Sequence, residues 1–289
     1  MIIIDSVADL RRLLAREEKF GTGFVPTMGA LHRGHLSLVK QSSLDNKRTV
    51  VSIFVNPTQF NDTSDLEKYP RDLETDLSML SNILSDKDIV FTPNYNDLYS
   101  FETEFSLDLM GLDQVMEGSH RPGHFEGVVR VVKLLFEAVT PEKAYFGQKD
   151  FQQLTIIKKM VKELNMGIEI IACPILREAN GLAMSSRNER LSEHTRSLAA
   201  IIHSTLKEYC KVKSANELTG ISQKIKDGIN SVSPFLVEYF EIVDNISLRS
   251  VSSVSDIMSG RKYYGCIAVY AEEVRLIDNV EFSFAFIKG

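Results

Sequence analysis

Two kinds of hydrophobic run alternate through the first half of the chain. Short, nearly unbroken apolar runs at 24–25, 50–55, 88–92, 144–146 and 168–171 predict strands, with Pro93 and Pro174 closing two of them. Between them, apolar residues recur every three or four positions, which predicts helices. Leu10, Leu13 and Leu14 mark the first, and residues 34–44 the second. Residues 72–84 carry Leu73, Leu77, Leu80 and Leu84 on one face. Residues 127–139 end before Pro141, and 151–164 align Leu154, Ile157, Met160 and Leu164. Strands this apolar, separated by helices of this length, imply a parallel sheet built with right-handed crossovers. The second half is ordered differently. Two helical stretches, 192–209 and 215–230, precede strand-like runs at 235–243, 265–271 and 274–277. That grouping predicts a smaller α+β domain. The expected division is an α/β domain at 1–176 and an α+β domain at 177–289.

A chain of 289 residues can bury a sizeable core, and 44% hydrophobic with 25% charged residues is ordinary for a soluble globular protein. The net charge of -6 is a poor match for a nucleic-acid backbone, so no nucleic-acid partner is expected. Cys173, Cys210 and Cys266 are odd in number and far apart. They make neither a disulfide framework nor a metal pattern, which fits a reducing cytoplasm. The N-terminus turns charged within a few residues, too soon for a signal peptide, and no apolar run approaches membrane-spanning length. The expected location is cytoplasmic, with no membrane partner. Two glycosylation patterns, Asn61-Asp62-Thr63 and Asn245-Ile246-Ser247, read as ordinary polar turns.

The segment Pro26-Thr27-Met28-Gly29-Ala30-Leu31-His32-Arg33-Gly34-His35 carries the most specific chemistry. A strand ends, a glycine turns the chain, and a helix begins. Free backbone N–H groups and the positive helix end are expected there, as in phosphate sites of α/β proteins. His32 and His35 can donate hydrogen bonds to phosphate oxygens. Two alternatives stand beside this reading: a pair of structural histidines at a turn, and a metal site, since histidines three apart can share an ion.

Gly147-Gln148-Lys149-Asp150 repeats the strand–turn–helix pattern. Lys149 would put an ammonium where a phosphate sits. Asp150 can cap the helix, hold a ribose hydroxyl or help hold magnesium; the plainer reading is a cap beside a solvated lysine. Residues 181–188 are small and polar, with Ser185, Ser186 and Arg187 suited to a mobile loop that closes on a triphosphate, or to a plain linker. Gln59 follows the run 50–55, where parallel sheets hold ligands, and suits a small hydroxylated or carboxylate ligand. Gln152 and Gln153 are neighbours on the helix after the lysine turn, and one is expected to face the same crevice. His120, Arg121 and His124 lie in a loop that spacing leaves open between the site and the surface.

Taken together and in order, these segments resemble the pantoate–β-alanine ligase (pantothenate synthetase) family, a branch of the nucleotidyltransferase superfamily with a His-x-Gly-His motif. The resemblance also rests on residues 54–60, 69–71, 121–128, 146–150, 181–188 and 275–279, and covers nearly the whole chain. Arg33 stands where the family often has an acidic residue. The resemblance implies a Rossmann-like parallel-sheet N-terminal domain and a smaller C-terminal lid domain. It implies an enzyme that joins pantoate to β-alanine at the expense of ATP, as its magnesium complex, through a pantoyl adenylate. His32, His35, Lys149 and Arg187 map onto catalytic positions. The nucleotide site maps onto Met28, Gly29, Ala30, Leu31, His32, Arg33, Gly34, His35, Gly147, Gln148, Lys149, Asp150, Leu176, Met184, Ser185, Ser186 and Arg187. Gln59 and Gln153 map onto the pantoate and β-alanine site. A homodimer is implied as well. The competing reading is a nucleotidylyltransferase of the same superfamily that adenylates a phosphorylated metabolite.

Overall fold

A computed structural model describes residues 1–16, 21–61 and 63–286. They divide into two compact units: Met1–Gln148 with Ile156–Pro174, and Lys149–Thr155 with the residues from Ile175 onward.

The first unit carries β1 (Ile2–Ile4), α1 (Val7–Ala15), β2 (Thr22–Thr27), α2 (Arg33–Asp45), β3 (Arg48–Ile53), α3 (Thr63–Glu67) and α4 (Leu73–Ser81). It continues with β4 (Ile89–Phe91), α5 (Tyr95–Tyr99), α6 (Met116–His120), α7 (His124–Val139), β5 (Lys143–Gly147), α8 (Phe151–Glu163) and β6 (Glu169–Cys173), the first turn of α8 belonging to the second unit. Six parallel strands run in the order β1-β4-β3-β2-β5-β6. The register Val25↔Val51↔Val90 sets one face, and Phe24↔Val50↔Ile89 sets the other. On the first face Val25, Val51, Val90 and Tyr145 pack with Leu38 and Val39 of α2 and Leu80 of α4. On the second, Phe136 of α7 meets Phe24 edge-on at 6.1 Å. Both faces are therefore buried, as the unbroken apolar runs require.

Strand order reverses between β2 and β5. The chain steps outward through β3 and β4 on one side and to β6 on the other. In such sheets, ligands bind beyond the carboxyl ends at this switch. Pairing of β2 with β5 covers Gly23 and Phe24, and Pro26, which has no N–H, lies beyond it.

In the second unit are α9 (Glu193–Leu198), α10 (Ala200–Tyr209), β7 (Lys211–Val212), α11 (Ala215–Asn230), β8 (Phe235–Asp244), β9 (Tyr263–Ala271) and β10 (Val274–Phe284). Its sheet runs β7-β10-β9-β8, antiparallel except for β7 on β10. Ile202 and Leu206 of α10, with Leu218, Ile221, Ile225 and Ile229 of α11, share one core with Phe240, Ile267, Val269 and Leu276.

Several expected boundaries move. The Ile2–Ile4 run becomes β1 because β4 supplies its partners, a long-range pairing that three residues cannot announce. Helix α7 begins at His124 rather than at Gly127, so the expected loop at 117–125 is a short helix and a turn. The 192–209 stretch is two helices meeting at Ala199. The Asn245–Ser247 tripeptide is a turn whose N–H groups of Ile246 and Ser247 donate to Asp244. The other tripeptide, at 61–63, runs through Asp62, outside the described residues. All three cysteines are buried thiols.

Candidate active site

The turn after β2 is held by an acid from another element. Gly29 has φ +79° and Ala30 φ +49°, both left-handed. Asp76, in the first turn of α4, accepts the N–H of Ala30 at 3.0 Å and of Leu31 at 2.7 Å. A Cβ on Gly29 would sit 2.9 Å from Asp76 Oδ2, so the residue must lack one. This corrects the expectation of free backbone donors at this turn. Those of Ala30 and Leu31 are engaged by Asp76, that of Gly34 by His32 and that of His32 by His35. An isolated α2 sequence leaves its terminal N–H groups open, but tertiary packing brings a buried carboxylate to the turn ahead of it. Burial raises the pKa of Asp76, against the lowering effect of the Leu31 and Ala30 hydrogen bonds.

The two imidazoles that follow are themselves held by backbone N–H groups. His32 caps α2, its Nδ1 accepting from Gly34 N at 3.1 Å. Nδ1 of His35 accepts from His32 N at 3.4 Å. A ring nitrogen that accepts a backbone N–H has no proton of its own, so each neutral ring carries its hydrogen on Nε2. The rings stack with centroids 4.0 Å apart. Both are half-buried, and Arg33 between them is exposed.

Gln59 ends a 3-10 turn at Pro57–Gln59 and is buried. Its Oε1 accepts from Asn56 Nδ2 at 3.3 Å, and its Nε2 lies 2.9 Å from the sulfur of Met28. Asn56 is fixed in turn by Tyr99, whose hydroxyl donates to Oδ1 at 2.9 Å, and by the carbonyl of Gly127 at 3.2 Å. His124 Nδ1 stands 2.7 Å from the Gln59 carbonyl, so Nδ1 carries the proton and Nε2 accepts from Arg121 at 3.2 Å. The buried His124 thus supports the turn under Gln59, whereas His120 is exposed. Gly127 permits this approach: a Cβ there would meet the Thr58 carbonyl oxygen at 2.5 Å.

Gly147 and Gln148 leave the carboxyl end of β5, the neighbour of β2, and Gln148 N donates to Cys173 O at 2.9 Å. The 28–35 turn and the start of the lysine turn therefore leave the same end of one sheet.

In the second unit, Lys149 is half-buried and Asp150 exposed, with Nζ 3.9 Å from Oδ1. Gln152 is buried and Gln153 half-buried. The 181–188 stretch differs from the loose loop expected. Residues 176–184 form a hairpin, with Glu178 N donating to Leu182 O at 2.8 Å and Met184 N to Leu176 O at 3.0 Å. A 3-10 turn, Ser186–Arg190, follows, capped by Ser185, whose hydroxyl accepts from Arg187 N. Buried Asn188 donates to Glu178 at 2.7 Å and to Ala183 O at 3.0 Å, which pins the stretch to its own hairpin. Arg177 grips Asp278 with both ends of its guanidinium, at 2.6 and 2.9 Å.

Sequence reasoning did not single out Asn56, Asp76, Tyr99 or Asp278 for a role. The one signal was that Asn56 and Asp278 fall inside the matching segments at 54–60 and 275–279; Asp76 and Tyr99 lie in none of them.

A parallel α/β sheet with paired imidazoles at its topological switch defines a nucleotide-transfer protein class. The family model for pantoate–β-alanine ligase matches residues 2–281. A pantothenate synthetase of Flavobacterium psychrophilum is 48% identical over 97% of this chain and 99% of its own length. That of Azobacteroides pseudotrichonymphae is 49% identical over 98% and 100%. The crystal structure of the Thermus thermophilus pantothenate synthetase superposes with a TM-score of 0.85 at 38% identity, covering 98% of this chain and all of that one. A Francisella tularensis pantoate–β-alanine ligase, solved with a β,γ-ATP compound and β-alanine, gives 0.77 at 33% identity over 97% of each chain. The chain belongs to the pantoate–β-alanine ligase family.

Proposed function

We infer that this ligase joins pantoate to β-alanine in two steps driven by ATP. A pantoate carboxylate oxygen attacks the α-phosphorus, the bond to the bridging oxygen breaks, and pyrophosphate leaves. The β-alanine amine then attacks the acyl carbon of the pantoyl adenylate, loses a proton, and AMP departs.

The observation that carries this reading is the matched pair of imidazoles with Nε2–H donors, held by α2 and by the turn that Asp76 closes. In the first step negative charge grows on the leaving pyrophosphate. Donors fixed beforehand stabilise it without reorganisation, each typically worth on the order of 10²–10³ in rate. His32 and His35 take that role by donating Nε2–H hydrogen bonds to phosphate oxygens. Lys149 and Arg187 contribute positive charge to the phosphates, Arg187 through two parallel N–H groups. Met28 to Leu31, Gly147, Gln148, Leu176, Met184, Ser185 and Ser186 line the nucleotide.

Gln59 holds pantoate. Its Oε1 is engaged by Asn56 and one N–H faces the Met28 sulfur, so the other amide N–H serves the acid. Gln153 is the second substrate-binding amide.

The triphosphate binds as a magnesium complex. Among the described residues no three His, Cys, Asp or Glu cluster to cage a metal. The ion would be carried mainly by the phosphates, with exposed Asp150 as an added carboxylate. Bound there, magnesium neutralises phosphate charge. The cytoplasm suits the three buried thiols, and no helix among the described residues is long and apolar enough to cross a membrane. We assign a homodimer, to be checked by sedimentation.

Incubation with ATP and pantoate, with and without β-alanine, tests the scheme. AMP release should match the amine consumed. Sustained turnover with no amine, or transfer of the adenylyl group to a phosphorylated metabolite, would overturn it.

A further inference from the structure

We infer that the consecutive pair Asp278–Asn279 on β10 is a positioning device for the lysine turn and for the hairpin that leads to Arg187. The inference rests on the phosphate roles given above to Lys149 and Arg187. All the residues involved belong to the second unit.

Neighbours on a strand point to opposite faces, so one dipeptide can reach in two directions. Asn279 donates from Nδ2 to the carbonyl of Lys149 at 3.0 Å. That bond fixes the backbone from which the lysine side chain springs. Asp278 takes the guanidinium of Arg177 on both oxygens. Arg177 Nη1 also donates to the carbonyl of Gly181 at 3.1 Å, and Nη2 to that of Asn279 at 3.4 Å. The hairpin is thereby tied at its tip to β10. Asp278 accepts the N–H of Asn279 at 2.7 Å, which locks the two arms together.

Burial makes this arrangement definite. Asp278 is 5% exposed and Asn279 4% exposed. Hydrogen bonds in such surroundings hold geometry, because water offers no substitute partner. Neither residue need touch substrate. Each acts through a cationic segment, one by a backbone carbonyl and one by a guanidinium.

The Asn279 arm can be isolated by a double-mutant cycle with Lys149. Asn279→Ala removes the hydrogen bond to the Lys149 carbonyl and should raise the KM for ATP about fivefold, with a smaller change in kcat. Asn279→Asp, equal in size but lacking the donor, should do at least as much. In a Lys149→Ala background, Asn279→Ala should add nothing to the KM. Asn230→Ala serves as the structural control, since Asn230 Oδ1 accepts from Val237 N at 2.7 Å in the same unit. It should lower Tm and leave the KM unchanged. If Lys149→Ala damages ATP use while the Asn279 effect is absent or fully additive, the inference fails and the phosphate role of Lys149 stands. If Lys149→Ala is itself silent, that role fails and the inference falls with it.

Discussion

The Asp76 carboxylate accepts the backbone N–H of Leu31 at 2.7 Å, across a sequence gap of 45 residues. A residue of α4 therefore fixes the chain just ahead of the paired imidazoles. Its neighbour on the helix behaves in the opposite way. Asp72 is exposed and caps α4, and its hydrogen bonds from Thr75 hold its pKa low, whereas burial raises that of Asp76.

Protonation of Asp76 would replace an acceptor with an O–H facing backbone donors, and the turn would loosen. Because the folded pKa is raised, this happens on acidification above the ordinary carboxylate range. We expect kcat/KM to fall there, and Asp76→Asn to lose roughly tenfold or more throughout and to lack that acid limb. A pH–rate profile of both proteins checks it; an identical limb in the variant would discard the idea. The stability sign is separate. A raised carboxylate favours the fold at low pH, and the contribution fades as pH rises through the folded pKa. The ionised Asp76 therefore burdens stability at neutral pH in exchange for holding the turn.

His32 has two tasks that substitution can separate. Asn is a strong helix cap, so His32→Asn should keep the α2 terminus and nearly all of Tm. It cannot supply Nε2–H, so kcat should drop on the order of 10²–10³. His35→Ala should match that loss with little effect on Tm. Steady-state kinetics beside calorimetry would decide it, and a His32→Asn enzyme with normal turnover would remove the imidazole from the mechanism.

Asp278→Ala leaves the Arg177 guanidinium, 18% exposed, without the carboxylate that grips it. Removing one partner of a buried pair costs about 3–5 kcal/mol. Urea unfolding should register a loss of that size, while Glu281→Ala, taking an exposed acid from the same strand, should change little.

His203 sets a pH limit on stability. Burial first, and the Arg177 cation next, push its pKa below the ordinary value. The neutral ring is favoured in the fold, whereas the unfolded chain protonates near pH 6.5. Its contribution is complete above about pH 6.5 and is lost as pH falls from there toward the folded pKa. His203→Gln should flatten the urea midpoint between about pH 7.5 and 5.5. An unchanged slope would show that His203 does not carry it.

Most of this fold was legible because each apolar run had to be buried. The runs 50–55 and 88–92 could become only covered strands, and the leucine stripe from Leu73 to Leu84 only a packed helix. The 26–35, 146–150 and 181–188 segments stood out through residue type and spacing, and the family resemblance gave them their expected roles. Illegible were features that depend on a partner distant in sequence. The strand at Ile2–Ile4 exists because β4 is its neighbour. His124 belongs under Gln59 because α7 starts early and Gly127 lets two backbones meet.

By itself the sequence determined most of the order of strands and helices, the split between an α/β and an α+β part, and the family whose motifs it carries. Only the tertiary structure decided how the site's side chains are held. It gave the N–H groups of Ala30 and Leu31 to Asp76, turned Nδ1 of both imidazoles onto backbone N–H groups, and tied Lys149 to Asn279. Hydrophobic burial is written in local periodicity, whereas a hydrogen bond between residues 45 or 130 positions apart forms only after the core has brought them together.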